Sequence, residues 1–156
     1  MKVYDSIRTN YEEIITFVIE EMQTVWESKG STTSVDLLEL GTGSGIFTGT
    51  LLKHLSQKNG LIQEKKLSFH MHPKDLSIIC TEPAKDFASL FSRKFPQIPI
   101  MQCKAESLPL QDSTVGVVVA ATSFHWFDTE KALAEIYRVL VDGGILGLRF
   151  IQFVLK

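Results

Sequence analysis

Residues 37–45 read Leu-Leu-Glu-Leu-Gly-Thr-Gly-Ser-Gly, an apolar run and a carboxylate leading into three glycines at alternate positions. The apolar run from Val35 to Leu40 predicts a strand. The glycines predict a turn stripped of side chains where a ligand must touch backbone. The next segment opens a helix, whose first N–H groups lack partners within it and favour anionic or polar ligand groups. An apolar strand running straight into such a turn builds a site for a nucleoside cofactor.

Spacing separates the candidate ligands. A dinucleotide fingerprint, Gly-x-Gly-x-x-Gly, needs glycine at 46, where Ile46 stands. That argues against a nicotinamide or flavin oxidoreductase. A phosphate loop needs a Gly-Lys-Ser/Thr step, which does not follow. A hydrolase elbow needs glycine two residues before its serine, and Thr42 precedes Ser44 at that distance. What remains is Glu-x-Gly-x-Gly-x-Gly, from Glu39 to Gly45.

Helix and strand patterns alternate along the rest of the chain. Asn10 and Glu13 form a capping box before a helix whose apolar face carries Tyr11, Ile14, Ile15, Val18, Met22, Val25 and Trp26, ending at Lys29-Gly30. A second helix starts near Ser44, with Phe47, Leu51 and Leu55 one turn apart and a poor helix-forming stretch at Thr48-Gly49-Thr50. Residues 57–75 read as an irregular, mobile insertion, longer than the usual strand–helix connection. Further strands are expected at Leu76–Thr81, Ile98–Cys103, Val115–Ala121 and Ile145–Phe153. Pro99 suggests an edge position for the second of these, and the uninterrupted apolar run of the third predicts burial on both faces. Helices are expected from Pro83 to Phe95 and after an Asp128 or Thr129 cap, the latter with Leu133, Ile136, Tyr137 and Leu140 inward and Gly143-Gly144 as its stop. This alternation predicts an α/β fold: a Rossmann-like parallel sheet of about five strands with helices on both faces. A single domain is expected over 1–156, with an N-terminal helical segment at 1–34 and the layered core at 35–156.

The net charge of −2 gives no long-range attraction to nucleic acid or to an anionic membrane, and neither is expected as a partner. Cys80 and Cys103 lie far apart without metal or redox spacing and read as reduced core thiols, consistent with a cytoplasmic chain. His70 and His72 lack the further ligands a zinc site needs, so no metal is expected. No apolar run reaches membrane-spanning length.

Several ordered segments share one resemblance. The Glu39–Gly45 motif resembles the first motif of the class I S-adenosylmethionine-dependent methyltransferases. Tyr4, Arg8 and Tyr11 resemble the Tyr-x-x-x-Arg-x-x-Tyr opening of the small-molecule branch that includes trans-aconitate methyltransferase-like proteins. Glu82-Pro83, Ala105-Glu106-x-Leu108-Pro109, Phe124-His125-Trp126-Phe127-Asp128 and Arg138–Gly144 match further segments of that branch, with Asp142 where the family has proline. Gly116 stands where the family commonly has aspartate, away from the ligand end. Against that family's pattern, the last two strands are expected to be missing from this sequence.

The resemblance implies S-adenosylmethionine as cofactor and a small-molecule acceptor, with a carboxylate among the candidates. It assigns cofactor binding to Glu39, Gly41, Thr42, Gly43, Gly45, Glu82, Pro83, Ala105, Glu106 and Ala121, and to Tyr4 and Arg8, either of which would hold the donor's carboxylate if the N-terminal segment folds over the site. Main-chain groups of Gly41 and Gly43 would face the methionine and ribose portions, Glu82 the ribose hydroxyls, and Glu106 the adenine amine. His125 is the candidate general base, and His125 and Trp126 are the candidate substrate pocket. Ile145 to Leu155 would form an apolar sheet edge inviting a homodimer. The alternative is a truncated, catalytically inactive binding or dimerisation module.

Overall fold

The computed structural model describes residues 11–29, 33–56 and 76–150. Helix α1 (Glu12–Lys29) leads into strand β1 (Val35–Leu40), and the glycine turn then opens α2 (Ile46–Ser56). Strand β2 (Ile78–Thr81), helix α3 (Lys85–Lys94) and the two-residue strand β3 (Ile100–Met101) follow. Strand β4 (Val115–Ala121), a single 3₁₀ turn at Phe124–Trp126, helix α4 (Thr129–Val139) and strand β5 (Leu140–Arg149) complete the described residues.

The strands form one parallel sheet in the order β3-β2-β1-β4-β5. The chain steps outward from β1 through β2 to β3, then returns to the other side of β1 and continues through β4 to β5. The direction reverses between β1 and β4, where such sheets open a crevice beyond their carboxyl ends.

Right-handed crossovers decide which face each helix covers. The two outward steps place α2 and α3 on the face that α1 also covers. There Phe47 and Leu51 of α2, Phe91 and Phe95 of α3, and Ile15 and Val18 of α1 pack with Leu37, Val117 and Val119 of the sheet. The step from β4 to β5 runs the other way and sends α4 to the opposite face, where Ala132, Ile136 and Val139 meet Leu38, Leu40, Val118 and Ala120. All seven residues of β4 are buried, as its lack of polar alternation requires. Each buried valine there contributes about 1.5–3 kcal/mol of apolar transfer energy. Gly116 has a packing reason: a Cβ would lie 3.2 Å from Val25 on α1 and 3.4 Å from the Asp36 carbonyl. A side chain there would press Val25 aside by a few tenths of an ångström.

Three expectations are corrected. Strand β3 is shorter than Ile98–Cys103, although it is an edge strand and the Pro99 carbonyl still accepts from Cys80 N–H at 3.0 Å. The inner stripe of α4 is Ala132, Ile136 and Val139; Leu133 and Tyr137 face solvent, Tyr137 at 85% exposure. Arg138 sets that rotation. Its guanidinium pairs with Glu135 at 2.8 Å and donates to the carbonyls of Leu108 and Leu110, locking the helix to the β3–β4 connection. Finally, the helix stops at Val139 rather than at Gly143-Gly144. The carbonyls of Arg138 and Val139 accept from the N–H groups of Ser113 and Thr114, so the preceding turn caps the helix and Leu140 is already strand. Gly143 sits inside β5 at φ +77, beside a register shift between Val115 and Val117. The Asn10 cap, Gly30, the 57–75 segment and 151–153 lie outside the described residues.

Among the described residues no helix is long and apolar enough to cross a membrane.

Candidate cofactor site

A cleft of about 450 Å³ opens at the carboxyl ends of β1, β2 and β4. Its floor is the glycine turn, where Gly41, Gly43 and Gly45 all take left-handed φ values of +65°, +55° and +76°. The three positions differ in what they admit. A Cβ on Gly45 would fall 2.5 Å from the Phe95 ring, and one on Gly41 2.7 Å from the Ser123 Cβ. These two let the turn pack against α3 and the end of β4. Gly43 has nothing within 4 Å of where its Cβ would stand. Here the missing side chain leaves open cleft.

The turn is held from the β2 side. Thr81 accepts from Gly41 N–H through its hydroxyl at 3.4 Å and from Thr42 N–H through its carbonyl at 2.9 Å. The Glu82 carboxylate accepts from Gly43 N–H at 2.8 Å with one oxygen and from Ala84 N–H at 3.0 Å with the other. Glu82 is buried at the lip of the cleft. Each of its oxygens has further lone-pair capacity, so both can accept from a ligand hydroxyl as well.

Glu39, on the last residues of β1, is 2% exposed and lines the cleft floor. It accepts from the Thr48 hydroxyl and, at 3.7 Å, from the Cys80 thiol, and Thr42 and Thr48 hydroxyls lie 3.5 Å apart beside it. Burial pushes its carboxyl up to about 7; the neighbouring Glu82 charge adds to this, while Thr48, Thr42 and Cys80 pull back. The same burial, with Glu39 beside it, pushes the Cys80 thiol far up, so it stays protonated as a donor. Thr48 therefore has a reason to sit in a helix it disfavours.

The opposite wall comes from the end of β4. Thr122 takes φ +66°, unusual for a β-branched residue, and its N–H donates to the Arg149 carbonyl at 2.8 Å. The Ser123 hydroxyl donates to the Leu40 carbonyl at 2.6 Å, joining this wall to β1. Next, Phe127 packs edge-on against Phe124 at 5.6 Å, while Trp126 stands 80% exposed at the mouth. Phe87, in the first turn of α3, is 50% exposed across the same cleft.

This donor and acceptor set fits a nucleoside cofactor. The open space over Gly43 adjoins a buried carboxylate at the tip of β2, and Glu39 below can accept from an ammonium. Among the described residues no three His, Cys, Asp or Glu side chains gather to hold a metal ion.

Residues 38–148 match the family model described as "Methyltransferase domain". The chain belongs to the class I S-adenosylmethionine-dependent methyltransferase family.

Two relatives from Schizosaccharomyces pombe illustrate the extent of the likeness. The uncharacterized methyltransferase-like protein C25B8.10 is 35% identical over 72% of this chain and 36% of its own length. The uncharacterized methyltransferase C25B8.09 is 30% identical over 93% of this chain and 48% of its own. The methyltransferase domain described here thus spans less than half the length of either. The fold is shared with the crystal structure of mmp1179 from Methanococcus maripaludis, at a TM-score of 0.57 and 23% identity, covering 96% of this chain and 62% of that one.

Within this methyltransferase domain the structure gathers Glu39, Gly41, Thr42 and Gly43 with Glu82, Pro83, Ala121 and Trp126 around one cleft. Gly45 lies behind the turn, packed on Phe91 and Phe95. Glu106 does not line the cleft; its carboxylate accepts from the Asp128 N–H at 2.6 Å and fastens the β3–β4 connection to the start of α4. Ala105 is buried in the α4-side core. His125 is exposed outside the lining, its ring 5.1 Å from that of Trp126. Gly41 and Gly43 line the cleft with their main chain, and their N–H groups are taken by Thr81 and Glu82. Tyr4, Arg8, His70 and His72 lie outside the described residues. Thr81, Thr48, Ser123 and Phe87 were not anticipated. Only Thr48 left a signal, as a poor helix former at a helix start.

Proposed function

We propose that this domain binds S-adenosylmethionine over the glycine turn and transfers its methyl group to a small-molecule acceptor. The observation that carries the reading is the Glu82 carboxylate, 2.8 Å from Gly43 N–H, beside space that any side chain at 43 would fill. Glu82 would accept the ribose hydroxyls, and Glu39 the donor's ammonium. When bound, the cofactor supplies a methyl carbon activated by its sulfonium, so the protein's part is to position the two reactants and exclude water. Trp126 and Phe127 would wall the sulfonium against solvent.

A carboxylate acceptor would need no general base, which suits a cleft whose described wall contains no histidine. It would also need a cation, and the described wall supplies none. The alternative, a binding module without catalysis, draws support from His125, the one candidate base, standing outside the lining.

Calorimetric titration with S-adenosylhomocysteine and, separately, NAD tests the reading. Binding of the first alone is expected, and Glu82→Ala should weaken it by about 1–3 kcal/mol. Binding of NAD, or an unchanged affinity in Glu82→Ala, refutes it. Label transfer to a panel of small acceptors then separates enzyme from module.

A further inference from the structure

We infer that the acceptor is a neutral, flat, apolar small molecule held at the aromatic mouth of the cleft, and not a carboxylate; this rests on the methyl-transfer reading above. The cleft divides by polarity. Two buried acids, Glu39 on its floor and Glu82 at its lip, adjoin an apolar wall of Trp126, Phe127, Phe87 and Pro83. Trp126 and Phe87 are among the most exposed large apolar side chains of the described residues, at 80% and 50%. A flat apolar molecule between them removes indole and benzyl surface from water, the main favourable term for such a contact.

Charge excludes the other classes. An anionic acceptor would leave water beside the Glu82 carboxylate and the buried Glu39 carboxyl, with no lysine, arginine or histidine in the described lining. Two cations contact lining residues without lining the cleft themselves. Lys94 donates to the Ser44 carbonyl at 3.4 Å from the exposed end of α3, and the Arg149 guanidinium lies 4.5 Å from the ring centre of Tyr11. Neither lines the cleft. A cationic acceptor would meet the positive sulfonium of the donor in the same space, with Glu39 and Glu82 already engaged by the donor's ammonium and ribose hydroxyls in the reading above. A neutral molecule avoids both penalties.

Equilibrium dialysis of the full chain saturated with S-adenosylmethionine, against 2-naphthol, 2-naphthoate and 2-naphthylmethylammonium, tests this at constant size and shape. The naphthol is expected to bind at least tenfold tighter than either ion. Trp126→Ala should weaken it at least fivefold, and Trp126→Phe should restore most of the loss. Equal or tighter binding of an ion, indifference to Trp126→Ala, or no detectable binding of any probe overturns the inference while leaving cofactor binding intact. Failure of the donor itself to bind instead overturns the function proposed above, and this inference with it.

Discussion

Glu39 shows how one residue can be read for type and misread for state. Its place in the motif was legible in the sequence, but nothing local told that it would be buried among Thr48, Thr42 and Cys80, which are up to 41 positions away. Its native carboxyl is raised from 4.5 to about 7, so the native state holds a proton that the unfolded chain releases above about pH 4.5. Unfolding is then favoured as pH rises through the window from about 4.5 to 7, and the cost levels off above it. A shift of this size corresponds to a cost on the order of 3 kcal/mol above pH 7. Glu39→Gln should therefore be more stable than the parent at pH 8 and close to it at pH 4, as read by urea denaturation at the two values. Parallel behaviour of both proteins at both pH values would contradict the burial described. Glu106 is the converse: the sequence marked the acid, but the partner that takes its carboxylate, the Asp128 N–H, is 22 residues away and invisible to local pattern.

At the scale of elements, what was legible follows from period and punctuation. Strand β4 and helix α1 carry unambiguous apolar patterns and appear where expected. Helix α4 does not, because Leu133 and Tyr137 share a helical face with Ile136 while Ala132 and Val139 do the burying. Hydrophobicity alone favours the larger side chains; the choice is made by Arg138 reaching the Leu108 and Leu110 carbonyls, a long-range contact. The same limit hid the division of labour in the glycine turn. Gly45→Ala adds a Cβ 2.5 Å from Phe95 at φ +76°, and should cost about 2–4 kcal/mol of stability from strain and overpacking. Gly43→Ala meets no neighbour and should cost only the backbone term of about 1–2 kcal/mol. It should nevertheless lose most of its affinity for S-adenosylhomocysteine. Denaturation and titration on the pair check this: a Gly43→Ala protein that binds normally would mean that the space over the turn is not used.

For the whole molecule, the layered architecture follows from alternation and right-handed crossovers and was within reach of the sequence, whereas the strand order, which the same alternation leaves open, was not. The outer edge of β5 is a ten-residue parallel strand paired only with β4 among the described residues. We propose that a second copy pairs along it, and light scattering on the eluting protein should give twice the monomer mass; a monomer across the micromolar range would rule that out. The hydrogen bonds around the cleft have a mechanical consequence. On the β2 side, Thr81 and Glu82 clamp three successive amides of the turn, whereas on the β4 side a single Ser123 hydroxyl reaches across to Leu40. One jaw is rivetted to the turn and the other touches β1 at a single stitch. Exchanging side chains along Phe124–Trp126 should therefore recut the far wall while the rivetted amides keep their places.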